Sequence, residues 1–236
     1  MLRYENLKRR PLRLLALTGL ARREFEELLP AFDKAYLAHY PIVKKKRKRA
    51  AGGGRKATLL TREDQLLFIL VYQKTYPLQV VMAELFGFSQ PSANYWIHHL
   101  LPVLLDALDT LKVLPERHGE RLTDHERRQP EPPDLVIDGT ERRRQRPKDP
   151  EKQTLHYSGK KKAHSDKNVV IVNTASKRVA FLSNTYAGKT HDKKVADQEQ
   201  IRYPRQCILR QDTGFLGYQP RVARLCQPKK SPAAVN

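Results

Sequence analysis

Cysteine is scarce in this chain: two thiols, Cys207 and Cys226, in 236 residues. They form no C-x-x-C pair and share no zinc spacing with histidine, which excludes a disulfide scaffold and a zinc module and fits a reducing compartment. Long apolar runs are missing as well. None approaches the ~18 residues that span a bilayer, so no membrane partner is expected. Leu12–Leu17 behind Lys8, Arg9 and Arg10 imitates a signal peptide, but the stretch is short, contains Arg13 and leads into Arg22-Arg23-Glu24. Secretion is rejected and a cytoplasmic location expected. The glycine run at 52–54 lacks the following Gly-Lys-Ser/Thr, so it is no phosphate-binding P-loop. Acids are the last deficit: 25 Asp and Glu face 45 Lys and Arg, for a net charge of +20. Such an excess favours a polyanion, because each neutralised phosphate releases counterions. Nucleic acid is therefore the expected partner, and association with the nucleoid the expected setting.

With 39% hydrophobic residues the chain can bury a core, as one medium or two small domains. Residues 1–43 read as a helical packing segment. Thr18 is a candidate N-cap, Leu20, Phe25, Leu28, Leu29 and Phe32 recur at helical spacing, and Pro30 is expected to kink or end the helix. Residues 44–58 are a basic, glycine-containing linker opening with Lys44, Lys45, Lys46 and Arg47. It serves either as an arm along a phosphate backbone or as a solvated connection.

Residues 59–115 carry the clearest helical pattern. Thr61-Arg62-Glu63-Asp64 resembles a capping box before Leu66, Leu67, Leu70 and Val71. A second helix runs from about Leu78 to Phe86, with Val81, Leu85 and Phe86 for the core, and Gly87 ends it. Ser89 caps a third, with Pro91 in its first turn. Helix, glycine turn, helix is the layout of helix-turn-helix DNA readers, in which the second helix enters the major groove by its N-terminal residues. Gln90, Ser92, Asn94 and Tyr95 are then the reading positions, and Gln and Asn can pair with adenine edges. A plain helical bundle accounts equally well for Trp96, Ile97, Leu100 and Leu101. Adjacent His98 and His99 cannot share a helix face as metal ligands.

Residues 116–133, closing in Pro130-Glu131-Pro132-Pro133, read as a linker. Beyond it, two apolar strands each deliver an aspartate to a small-residue turn: Leu135-Val136-Ile137-Asp138 before Gly139, and Cys207-Ile208-Leu209-Arg210-Gln211-Asp212 before Thr213-Gly214. Open α/β sheets place chemistry beyond the carboxyl ends of their strands, so the two carboxylates are candidates for one metal site. The alternative is that each caps its own turn. Between them, Lys167–Asn173 and Arg178–Ser183 read as strands and His191–Gln200 as a helix capped by Thr190, while Arg142, Arg143, Arg144, Arg146 and Lys148 crowd a loop.

Asp138-Gly139-Thr140-Glu141, Gln145-Arg146-Pro147, Tyr157-Ser158-Gly159-Lys160-Lys161-Lys162, Lys189-Thr190-His191-Asp192 and Asp212-Thr213-Gly214-Phe215 together resemble the DDE transposases of bacterial insertion sequences. The resemblance is to the IS-five group and the Harbinger-like endonucleases. It implies an α-helical helix-turn-helix region followed by an α/β RNase H-like catalytic domain over residues 134–236, incomplete at its C-terminal side. It implies catalytic, metal-holding roles for Asp138 and Asp212, with Mg2+ or Mn2+ as the divalent ion, and supporting places beside that site for Glu141 and Asp192. Lys160, Lys161 and Lys162 would contact phosphates, or form a solvated face. The implied partners are double-stranded DNA (terminal repeats and target DNA) and a second copy of the chain or a full-length transposase. The family also needs a third acid, a glutamate, yet no Asp or Glu follows Asp212. The expectation is a truncated or frameshifted transposase, inactive alone. A non-catalytic DNA-binding regulator and a decayed fragment are the alternatives.

Overall fold

The computed structural model describes residues 1–41, 59–123 and 133–228. The basic run with Lys44–Arg47 lies outside the described residues. The chain divides into two compact units, Met1–Val113 and Leu114–Asn236.

The first unit is helical: α1 (Tyr4–Leu7), α2 (Pro11–Thr18), α3 (Arg22–His39), α4 (Arg62–Thr75), α5 (Gln79–Phe86) and α6 (Gln90–Thr110). Helix α4 is its axis. Every residue from Asp64 to Val71 is buried, so α4 is enclosed on all sides rather than along one stripe. The Thr61 hydroxyl accepts from Asp64 N–H at 3.1 Å, which caps α4. The return half of the expected capping box is not made. Asp64 instead accepts from Tyr4 N–H and from the Arg3 guanidinium, both at 2.9 Å, and so ties α1 to α4.

Three local expectations are corrected. Thr18 ends α2 rather than starting a helix: its hydroxyl donates to Leu14 C=O at 2.7 Å, and Gly19 closes the helix at φ 76°. Pro30 lies inside α3 without ending it, because Phe25, Leu28, Phe32 and Ala35 bury the same face on both sides of it. Val81 is exposed, and Met82 and Ala83 take the core positions beside Phe86. Gly87 at φ 73° does end α5, and Ser89 stands at the N-cap of α6.

The second unit begins earlier than the composition suggested. Residues 116–123, read as linker, pack on the sheet: Glu116 N–H donates to Ala180 C=O at 2.9 Å, Leu182 N–H donates to Glu116 C=O at 3.0 Å, and Leu122 is fully buried. Its strands are β1 (Asp134–Arg143), β2 (Tyr157–Ser158), β3 (Ala163–Asn173), β4 (Val179–Leu182), β5 (Tyr186–Ala187), β6 (Ile208–Gln211) and β7 (Arg224–Cys226), with helices α7 (Pro150–His156) and α8 (Asp192–Gln198). The sheet order is β2-β3-β1-β6-β7, with β4 and β5 also paired to β3. β1 is antiparallel to β3 and parallel to β6, and β6 is parallel to β7. Leu135, Ile137, Val169, Ile171 and Leu209 share one buried core with Val195 and Ala196 of α8.

β1 does not stop at Ile137. Its antiparallel partner continues, so pairing carries it through Asp138 to Arg143, with Arg143 opposite Ser165. Arg142 and Arg143, expected in a loop, are therefore strand residues. The cap of α8 is His191, one residue later than the expected Thr190.

Candidate active site

The site begins with register. Ile137 pairs with Gln211 at the last rung of the parallel β1–β6 ladder. The next residue on each is an aspartate, so Asp138, still inside β1, and Asp212, just past the end of β6, stand side by side. Strands in a sheet lie ~4.8 Å apart, which sets the spacing scale of the two carboxylates. Both residues are exposed. Each carboxylate also accepts from a backbone N–H close by in sequence. Asp138 Oδ1 accepts from Gly139 N–H at 2.7 Å, and Asp212 Oδ1 accepts from Gly214 N–H at 2.9 Å. The turn-capping reading thus holds for Asp212, the N-cap of the turn Thr213–Phe215, and not for Asp138, which lies inside β1. Gln211, the residue before Asp212, is buried and donates to Phe215 and Tyr218 C=O at 3.4 and 3.3 Å, which anchors that turn.

Residues behind the two aspartates form a second charged group. Along β1, Asp138 alternates away from the face that carries Ile137, Gly139 and Glu141. On that inner face Lys167 is 7% exposed, and its ammonium lies 3.0 Å from Asp192 Oδ1 and 3.3 Å from Glu141 Oε1. It also donates to Thr190 C=O at 2.8 Å. Asp192 Oδ1 is buried and makes no well-aligned hydrogen bond, so its contact with Lys167 is an ion pair first. Burial pushes the Glu141 carboxyl up, but hydrogen bonds from Ser158 and Ser165 and the Lys167 charge outweigh it and hold the group below the usual carboxylate range. The Ser165 hydroxyl donates to Glu141 Oε2 at 3.0 Å.

Asp192 and Glu141 therefore stand behind the aspartate pair, in one network joined by Lys167. The sequence pattern missed Lys167. Its signal was parity: in the β3 run, 167 falls on the same face as Val169 and Ile171, where a lysine must find counter-charges.

The donor set suits a hard dication. Magnesium and manganese take carboxylate oxygens and keep several waters, so two exposed carboxylates at adjacent strand positions fit them. Among the described residues, no group of three or more His, Cys, Asp or Glu side chains is arranged to hold a metal ion.

The remaining candidates fall elsewhere. Lys160, Lys161 and Lys162 are all exposed in the turn between β2 and β3. In the first unit, Gln90 and Tyr95 are exposed and Ser92 and Asn94 half-buried on the first turns of α6. Gln90 donates to Gln79 Oε1 at 2.6 Å, which links the starts of α6 and α5. His99 stacks on Tyr40 at 3.7 Å and on Tyr95 at 5.0 Å.

Residues 137–229 match the family model described as DDE superfamily endonuclease. Residues 58–110, covering α4, α5 and α6, match the helix-turn-helix of DDE superfamily endonuclease. The chain carries both DDE modules. The first match is to a DNA-binding module and the second to an endonuclease module. No curated protein and no solved structure matched the chain. Among the described residues, no helix is long and apolar enough to cross a membrane.

Proposed function

We propose that the chain is the transposase of an insertion sequence, in the IS-five and Harbinger-like branch of the DDE endonucleases. The observation that carries this reading is the register of β1 and β6, which sets Asp138 beside Asp212 inside the endonuclease match. The strand order supports an RNase H-like domain: three strands in antiparallel sequence, β1-β3-β4, then β6 returning parallel beside β1.

In this reading α5 and α6 dock on the terminal inverted repeats. Gln90, Ser92, Asn94 and Tyr95 meet the major groove, with Gln and Asn offering paired donor and acceptor groups to adenine. Lys160, Lys161 and Lys162, and the run from Lys44 to Arg47, follow phosphates of the element end and of target DNA. Asp138 and Asp212 hold Mg2+ or Mn2+. When bound, such an ion polarises a phosphoryl oxygen and neutralises charge that develops at the cleaved phosphodiester. The two carboxylates hold it as anions, and their mutual repulsion, roughly 3 kcal/mol at ~5 Å and an effective dielectric of ~20, is what a dication offsets. The partner in assembly is a second copy or a full-length transposase.

No carboxylate follows Asp212 in these 236 residues. A second reading is a DNA-binding regulator that occupies element ends without cutting them. The test is to incubate the purified chain with element-end and random duplexes, with and without Mg2+. The expected result is retention of the ends over random duplex at physiological salt, and no nicking by residues 1–236 alone. Nicking that Asp138→Ala abolishes overturns the inactivity. Equal retention of both duplexes overturns the terminal-repeat reading.

A further inference from the structure

Two glycines explain why Asp192 stands where it does. Gly139 follows Asp138, and Gly214 lies two residues past Asp212. A methyl group at Gly139 would overlap the Asp192 carboxylate, with Cγ only 2.7 Å away. A methyl group at Gly214 would meet Asp192 Oδ2 and Asp212 Oδ1, each at 3.0 Å. One carboxylate therefore fills the space behind both the β1 backbone at Gly139 and the turn at Gly214, and only glycine leaves that space open. Neither glycine has a positive φ, so the requirement is room rather than backbone conformation.

We propose that Lys167 and Asp192 form a positioning strut for the metal-holding pair. Lys167 is fixed from three sides, by Glu141 on β1, Asp192 at the start of α8 and the Thr190 carbonyl. It holds the Asp192 carboxylate against the Gly139 and Gly214 backbones. Strand β1 at Gly139 and the turn at Gly214 are thereby kept at one separation, and with them Asp138 and Asp212. Neither Lys167 nor Asp192 is a ligand in this arrangement. The proposal goes past charge balance, because a strut and a field predict opposite signs. Removing a lysine near a cation site strengthens cation binding if only the field matters. It weakens binding if the lysine sets the geometry, since ligation demands placement within about 0.5 Å.

This inference rests on the reading of Asp138 and Asp212 as a metal pair, and the experiment separates the two. Mn2+ binding to the full 236-residue chain is measured by electron paramagnetic resonance for four proteins: wild type, Asp138→Asn, Lys167→Met and Lys167→Met/Asp192→Asn. Thermal melting of each is recorded in metal-free buffer. Asp138→Asn is expected to weaken Mn2+ at least tenfold. Lys167→Met is expected to weaken it about fivefold, although a positive charge has been removed. The double variant leaves the net charge as in wild type and removes both members of the Lys167–Asp192 pair, while Glu141 keeps its Ser165 hydrogen bond but loses its cation. It is expected to melt below wild type yet remain folded, and still to bind Mn2+ about fivefold more weakly. Tighter binding by Lys167→Met, or wild-type binding by the double variant, overturns the strut while leaving the metal pair standing. Equal binding by wild type and Asp138→Asn overturns both. If the double variant does not fold, Gly214→Ala decides: it changes no charge, and wild-type Mn2+ affinity there overturns the strut.

Discussion

Gly139 and Gly159 differ in one respect that a substitution can read. A Cβ at Gly139 runs into the Asp192 carboxylate, whereas a Cβ at Gly159 meets nothing within 4 Å. The Asp192 carboxylate cannot swing aside cheaply, because Lys167 holds it and Oδ1 is buried. Gly139→Ala is therefore expected to destabilise the second unit by about 2 kcal/mol, the usual scale of overpacking. Gly159→Ala should leave the urea midpoint unchanged within error. Equal midpoints for the two variants would show that the space behind Gly139 yields. Asp138 itself was visible in the sequence as a carboxylate after an apolar run. Its face was not, because a strand expected to end at Asp138 in fact continues to Arg143. That continuation comes from pairing with β3, which no local pattern near Asp138 announces.

Helix α4 shows how an element's sequence can be read correctly and its partners missed. Thr61 was expected as a cap, and its hydroxyl does accept from Asp64 N–H. Thr61→Ala is expected to cost about 1 kcal/mol, as loss of a cap does, measured by urea unfolding of the first unit's helical signal. A change below about 0.3 kcal/mol would mean that the Arg3 and Tyr4 contacts to Asp64 hold the helix start without the cap. Those contacts span some sixty positions and have no local signature. Pro30 teaches the same point from the other side. Taken alone a proline ends a helix, yet the buried face of α3 runs through it. The strand β7 and the helix α7 went unread for a further reason. β7 is three residues long and α7 buries none of its side chains, so neither shows a hydrophobic period.

At the scale of the whole molecule, charge and order along the chain decide what it can do. A net charge of +20 predicts DNA binding that collapses with salt, by about 0.9 in log K per tenfold salt for each phosphate neutralised. Retention of element-end duplex should therefore fall by orders of magnitude between 50 and 200 mM salt if about six or more phosphates are contacted. A flat salt response would remove phosphate contact as the main source of affinity. The linker expected at 116–133 is in part sheet-bound, because Glu116 pairs with β4 and Leu122 fills the core. Polar composition alone could not separate a free connection from an edge segment satisfied by backbone bonds. The sequence by itself determined the basic character, the helical front half, the two strand-borne aspartates and the likeness that the DDE family models also find. Those depend on composition and short-range pattern. The tertiary structure alone decided that β1 and β6 pair in parallel with Asp138 and Asp212, 74 positions apart, at matching places on them, and that Lys167 joins Glu141 to Asp192 behind them. Strand pairing and buried ion pairs are long-range choices, made by the free energy of closing the whole sheet rather than by any one stretch of chain.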